Sequence, residues 1–189
     1  MKAQQDFART YLDELVSLLP KLDTDAIRRA VEVMRDARDQ GRTIYSCGNG
    51  GSASIASQMV VDIVKGASLG RKKRMKMIGL TDSVATITAL ANDVDYESVF
   101  VEPLRNFAVP GDVLIAISGS GNSPNVLRAV EYANEIGCKT VGLTTAGGGR
   151  LKDLVEIPIL VPTDHMGRLE DCFFVVTHIF CYAFMEGVY

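Results

Sequence analysis

The sequence has few of the features that mark membrane, secreted or nucleic-acid-binding proteins. No apolar run approaches the length of a transmembrane helix, and Met1–Gln5 lack the apolar segment of a signal peptide. There is no low-complexity tract, and the net charge of −3 argues against nucleic acid as the main ligand. We therefore expect a cytoplasmic protein that contacts neither membrane nor nucleic acid.

Cysteine and histidine are also scarce, with four and two residues respectively. None of the cysteines has the spacing of a metal-binding motif, and each lies in or beside an apolar segment. Buried free thiols are therefore expected rather than disulfides. The cysteines are Cys47, Cys138, Cys172 and Cys181.

The composition of the 189-residue chain is ordinary for a globular protein, with 47% hydrophobic and 23% charged residues. This length predicts one domain with a substantial core, residues 1–189. Residues 1–40 have the apolar periodicity of two amphipathic helices, separated at Pro20. The first helix precedes any strand, and its apolar face could cover either its own domain or a second subunit. We favour a subunit contact.

From residue 41 onward, short apolar runs alternate with helical patterns. This predicts an α/β fold, a three-layer α-β-α sandwich around a five-stranded, mostly parallel sheet. The expected strands are 43–47, 75–80, 113–118, 140–144 and 157–161.

Two loops rich in glycine and serine follow predicted strands. Ser118–Pro124 precedes a helix, and Gly48–Ser52 repeats the arrangement after the first strand. In parallel sheets, ligands bind beyond the carboxyl ends of the strands. Free N–H groups at a helix start favour an anion, so we expect a phosphate there. The polar turn 144–149 is either a third contributor or a plain connector.

Two helices carry polar residues that stand out from apolar surroundings. Gln58 and Asp62 are four residues apart and share one face of a helix, where a carboxylate among apolar side chains should be paired or functional. On the last helix, Glu170 and His178 are eight residues apart and point roughly the same way. His178 is either a core histidine or a functional one.

These motifs, in this order, resemble the sugar isomerase (SIS) domain family and, within it, the phosphoheptose isomerases. The resemblance is carried by Gly48–Ala53, Ala91–Asp93, Pro110–Val113, Ser118–Asn125 and Arg168–Asp171 with His178. It implies a flavodoxin-like SIS fold, a homotetramer with sites at subunit interfaces, and a role in carbohydrate metabolism, namely heptose biosynthesis. The implied reaction converts sedoheptulose 7-phosphate to glycero-manno-heptose 7-phosphate.

The resemblance also implies residue roles. Ser118, Gly119, Ser120 and Ser123 would hold the phosphate. The sugar would be contacted by Asn49, Gly50, Gly51, Ser52, Asn92, Asp93 and Glu170. Aldose–ketose interconversion needs an acid and a base, and Asp62 and His178 stand where the family has its catalytic pair. Which of the two acts as base stays open.

The chain departs from the family at its metal site. Phosphoheptose isomerases commonly bind zinc through His, Glu, Gln and His, and the matching residues here are Gln58, Asp62, Glu170 and His178. Asp62, Glu170 and His178 are the candidate metal ligands. This oxygen-rich set lowers the expected preference for zinc, so a divalent metal cofactor is one alternative and none is the other.

Two functions of different class fit these residues. The first is a phosphosugar isomerase working through an enediol. The second is a non-catalytic phosphosugar-binding SIS protein that acts by regulation or assembly. The presence of Asp62, Glu170 and His178 at these positions favours the enzyme.

Overall fold

The computed structural model describes residues 6–189 and begins with a helical segment. Helix α1 (Phe7–Leu18) is followed by a 3-10 turn, Leu19–Lys21, and by α2 (Thr24–Asp39). The Asp23 side chain caps α2 by accepting hydrogen bonds from two backbone N–H groups, as expected for a helix start. The two leading helices are therefore confirmed. The signal-peptide expectation concerned Met1–Gln5, which lie outside the described residues.

A five-stranded sheet follows, and all its strands are parallel. The strands are β1 (Thr43–Gly48), β2 (Lys76–Gly79), β3 (Val113–Ile117), β4 (Lys139–Thr145) and β5 (Ile157–Val161). Their order across the sheet is β2-β1-β3-β4-β5. Each predicted strand is confirmed, with ends that differ by one residue at most.

Six further helices connect and cover the strands. They are α3 (Gly51–Val61), α4 (Val84–Asp93), α5 (Val101–Phe107), α6 (Pro124–Glu135), α7 (Leu151–Leu154) and α8 (Met166–Met185). A π-helical turn, Asp62–Gly66, continues α3. None of the helices within residues 6–189 has the length and apolarity needed to cross a membrane.

The core lies on both faces of the sheet. One cluster packs side chains of β1, β3, β4 and β5 against α2, α3 and α8, and the other packs the opposite faces of β1 and β3 against α5 and α6. Every residue of β3 is buried, as expected for a central parallel strand covered on both sides. This confirms the predicted α-β-α layers.

All four cysteines are buried and free. Burial raises the pKa of Cys47 and of Cys181 to about 12, so both thiols stay protonated at neutral pH. The expectation of buried free thiols is confirmed.

Helix α1 contacts the body of the chain mainly at the start of α8. The Tyr11 hydroxyl donates to Asp171 at 2.6 Å, which holds the pKa of Tyr11 above its usual value. Arg168 pairs with Glu14 and lies over the Tyr11 ring. Leu18 is buried in the core and Leu15 packs against it, whereas Phe7 is 72% exposed and Val16 is 63% exposed.

Candidate active site

The order of the strands reverses between β1 and β3, and the two glycine-rich loops begin there. Residue Gly48 at the end of β1 pairs with Ile117 at the end of β3. Ligands of open α/β sheets bind at this reversal, because the loops diverge and leave a crevice. The sequence prediction that Gly48–Ser52 and Ser118–Pro124 meet at one edge is therefore correct.

The first loop turns sharply into α3. Gly50 has φ 56°, a left-handed conformation that favours glycine, and no side chain caps the helix. A Cβ at Gly48 would lie 2.9 Å from the Ile117 carbonyl oxygen, so the close approach of the two loops requires glycine. The positive end of the α3 helix dipole therefore lies at this loop, where it favours an anion.

The second loop places its hydroxyls at the start of α6. Ser118 donates to the Ser123 hydroxyl at 3.2 Å, and Ser123 precedes the helix without capping it through its side chain. Both hydroxyls can therefore turn toward a ligand.

A cavity of about 200 Å³ lies between the two loops and the start of α8. Its walls are Asn49, Ser52, Ile117, Ser118, Gly119, Ser120, Ser123, Met166 and Glu170. All four predicted phosphate-binding residues line it, together with Asn49, Ser52 and Glu170 from the predicted sugar-binding set. After this expected ligand, we refer to it as the phosphate cavity.

A polar network fixes Asn49 at the cavity wall. The side-chain amides of Asn49 and Asn125 exchange two hydrogen bonds of 2.9 Å each, and the Tyr96 hydroxyl donates to Asn49 at 3.0 Å. Sequence reasoning assigned no role to Asn125 or Tyr96. Asn125 ends the Ser118–Asn125 motif, which was a usable signal, whereas Tyr96 reaches Asn49 only through the tertiary fold.

The turn 144–149 supports the second loop and does not line the cavity. The Thr144 hydroxyl donates to the Gly119 carbonyl at 3.4 Å. Just after the turn, Leu151 N–H donates to the Gly121 carbonyl at 2.9 Å, and Arg150 N–H donates to the Asn122 side chain at 3.0 Å. Gly121 has φ 65°, and a Cβ there would overlap the Gly148 carbonyl oxygen. The turn is thus neither a third ligand loop nor a plain connector.

Glu170 brings a carboxylate into the cavity from α8. It lies so close to Gly51 that a Cβ on that glycine would overlap its carboxyl group. Met166, one helical turn before Glu170, lies over Gly119. Its sulfur would be 3.1 Å from a Cβ added to that glycine. Sequence reasoning missed Met166 because an apolar residue at a helix start carries no chemical signal.

Asp62 and His178 lie together at a second position, between α3 and α8. His178 Nε2 is 3.8 Å from one oxygen of Asp62, and the Gln58 amide donates to the other at 3.3 Å. The Asp62 side chain is 19% exposed and that of His178 is 48% exposed. The expected pairing of Asp62 is present, and the imidazole remains accessible.

Within one chain, the phosphate cavity and the Asp62–His178 pair are well separated. Glu170 and His178 are eight residues apart on α8, which corresponds to about 12 Å along the helix. The phosphate cavity and the Asp62–His178 pair therefore cannot touch the same atoms of a ligand from one chain.

Asn92 and Asp93 are not part of the cavity wall. They lie at the exposed end of α4, where the Asn92 amide donates to the Asp93 carboxylate at 2.8 Å. Their expected place beside the sugar, alongside Asn49, stays a prediction.

The residues at the family's zinc positions do not fit a zinc ion. Within residues 6–189, no three His, Cys, Asp or Glu side chains cluster closely enough to hold a metal. Gln58, Asp62 and His178 are together and Glu170 lies at the phosphate cavity, so the candidate ligands Asp62, Glu170 and His178 do not converge in one chain. The local donors include one nitrogen only, whereas zinc sites in proteins favour nitrogen and sulfur.

Known proteins resemble this chain in sequence and in fold. The family described as "SIS domain" matches residues 10–145. Curated proteins named phosphoheptose isomerase are similar in sequence. That of Geotalea daltonii is 37% identical over 155 residues, which cover 82% of this chain and 80% of the relative. That of Nitratiruptor is 40% identical over 146 residues, which cover 77% of this chain and 78% of the relative.

Solved structures agree. A phosphoheptose isomerase from Francisella tularensis superposes with a TM-score of 0.88 at 27% identity, over 95% of this chain and 96% of that one. One from Neisseria gonorrhoeae gives 0.86 at 26% identity, over 95% and 97%. The chain belongs to the SIS domain family and, within it, to the phosphoheptose isomerases.

Proposed function

We propose that this protein interconverts sedoheptulose 7-phosphate and glycero-manno-heptose 7-phosphate. The observation that carries the proposal is the convergence of two uncapped helix starts and the Ser118, Ser120 and Ser123 hydroxyls on one cavity. The curated relatives are named as isomerases of phosphoheptose, which favours an enzyme over a non-catalytic phosphosugar-binding protein.

The cavity suits a phosphate group for electrostatic reasons. The N-termini of α3 and α6 direct partial positive charge toward it. The serine hydroxyls add donors that can rotate toward phosphate oxygens. The Glu170 carboxylate, which lies beside Gly51 at the start of α3, would repel phosphate and accept hydrogen bonds from sugar hydroxyls. We infer that the phosphate lies against the serines and the sugar extends past Glu170.

Isomerisation then requires two proton transfers. A base removes a proton from C1 of the ketose, an enediol forms, and a proton delivered to C2 gives the aldose. Asp62 and His178 are the paired groups suited to this work, since both exchange protons and both reach the surface. The anchored phosphate supplies binding energy away from the reacting carbons, which holds them in position for proton transfer.

We propose a homotetramer in which subunits share sites. The Asp62–His178 pair lies beside exposed apolar side chains, namely Val61, Val64, Ile179 and Tyr182, and α1 exposes Phe7, Leu12 and Val16. Apolar patches of this kind mark interfaces. Burying them in subunit contacts would bring the pair of one subunit to the phosphate cavity of the next.

Sharing can be tested by mixing variants. Co-expression of Asp62→Asn with a Ser118→Ala/Ser123→Ala chain should restore activity at least about tenfold above either parent, since hybrid assemblies contain intact sites. Each variant expressed alone is the control. Hybrids no more active than their parents would mean that each site is built from one chain.

We propose that residues 1–189 form one domain, in which residues 1–40 serve oligomer packing. We also propose a cytoplasmic location, because charged sugar phosphates do not cross a bilayer unaided.

The direct test of function is turnover. Purified protein incubated with sedoheptulose 7-phosphate should generate the aldose signals of glycero-manno-heptose 7-phosphate by NMR. Fructose 6-phosphate and ribulose 5-phosphate serve as comparison substrates. No conversion of the heptulose, with or without added divalent metal, would refute the assignment.

A further inference from the structure

Gln58 stands where relatives place a histidine ligand of zinc, and its side chain already has a different partner. Its Nε2 lies 3.3 Å from Asp62 Oδ1. A carboxylate can only accept hydrogen bonds, so the amide must present its NH₂ group to Asp62. The amide oxygen, the only atom of Gln58 that could bind a cation, therefore faces away from the carboxylate.

The two oxygens of Asp62 are thus used separately. One accepts from Gln58, and the other lies 3.8 Å from His178 Nε2. His178 is flanked on its own helix by the rings of Phe174 and Tyr182, with centroids 6.1 Å and 6.2 Å away. These contacts orient the Asp62 carboxylate and the His178 imidazole toward each other within the chain.

We propose that Gln58 is a positioning residue that takes the place of zinc in this chain. Its N–H donor orients the Asp62 carboxylate toward His178, and the pair works with no resident zinc ion. The inference rests on the proposed isomerase function for its catalytic meaning, but the zinc content can be measured without turnover.

The chemistry of the donors supports this substitution. A hydrogen bond to a carboxylate is stronger than one between neutral groups, so an amide can fix the carboxylate's orientation. At this position one chain offers a zinc ion a single nitrogen, a carboxylate shortened by one methylene relative to glutamate, and an amide oxygen that faces away from that carboxylate.

The test compares zinc retention in the wild type and in Gln58→His/Asp62→Glu, which restores the family's histidine and glutamate at these two positions. Each protein is equilibrated with zinc chloride, desalted and analysed by atomic emission. We expect fewer than about one zinc ion per ten chains in the wild type and about one per chain in the double variant. Zinc should raise the melting temperature of the double variant only. The matched control, Asp62→Glu alone, should stay zinc-free.

Steady-state kinetics test separately whether Gln58 orients the Asp62 carboxylate. Gln58→Met has similar length and no donor, so kcat should fall about tenfold with KM unchanged. A chelator should leave wild-type kcat unaltered. An inactive wild type would refute the proposed function while leaving the zinc measurement valid.

Two outcomes would overturn the inference. One is a wild type that retains about one zinc per chain and loses it in His178→Ala. The other is a double variant that stays zinc-free, because zinc would then be excluded by something other than Gln58 and Asp62.

Discussion

The variant Asp62→Asn is expected to lose about 10²- to 10⁴-fold in kcat for sedoheptulose 7-phosphate, because an amide cannot exchange the proton that isomerisation moves. KM should change little, since the phosphate cavity lies about 12 Å away along the helix and is untouched. Asn has nearly the same shape as Asp, so the melting temperature should stay close to that of the wild type. A coupled or NMR assay of product formation measures the loss.

His178→Gln should reduce kcat by a similar factor. Because the two groups act as a pair, the double variant should be hardly slower than either single variant. The control is Asp153→Asn, an exposed carboxylate on α7, which should retain wild-type kcat. Turnover preserved in both Asp62→Asn and His178→Gln would remove this pair from the mechanism.

Gly121→Ala is expected to weaken phosphosugar binding at least about tenfold and to lower the free energy of unfolding by about 2–4 kcal/mol. The left-handed backbone accounts for part of the destabilisation, since Gly121 has φ 65°. The remainder comes from overlap of the new Cβ with the Gly148 carbonyl oxygen. The second loop must then move away from the turn 144–149, and the serine hydroxyls move with it. Urea unfolding and calorimetric titration with phosphosugar give the two quantities.

Gly70→Ala separates the two causes. Gly70 has φ 71°, but nothing lies within 4 Å of a Cβ there. Its substitution should therefore lower stability by about 1–2 kcal/mol and leave binding unchanged. Equal destabilisation of the two variants, with wild-type affinity in both, would show that the contact with Gly148 does not shape the phosphate cavity.

Much of the fold follows from local patterns. The strands and helices were predictable because apolar periodicity reports which face of an element is buried, and the order of alternation implies a parallel sheet. The meeting of Gly48–Ser52 with Ser118–Pro124 was also predictable, since both loops follow strands at the carboxyl edge.

The contacts that could not be predicted from the sequence are those between residues brought together only by the tertiary fold. The hydrogen bond from Tyr96 to Asn49 joins residues 47 positions apart, and no local pattern encodes it. Likewise, Glu170 and His178 share a helix face, yet the rise of the helix places one at the phosphate cavity and the other beside Asp62. Motif order alone gave no indication of this separation.

The central claim is that the protein moves a proton through an enediol on a sugar anchored by its phosphate. The most direct measurement is turnover of sedoheptulose 7-phosphate in D₂O, followed by NMR of the aldose product. We expect deuterium on C2 of the heptose phosphate made by the wild type, and no deuterium incorporation by Asp62→Asn. Product formed with only hydrogen at C2 would contradict an enediol whose protons exchange with solvent, and absence of product would contradict the assignment as a whole.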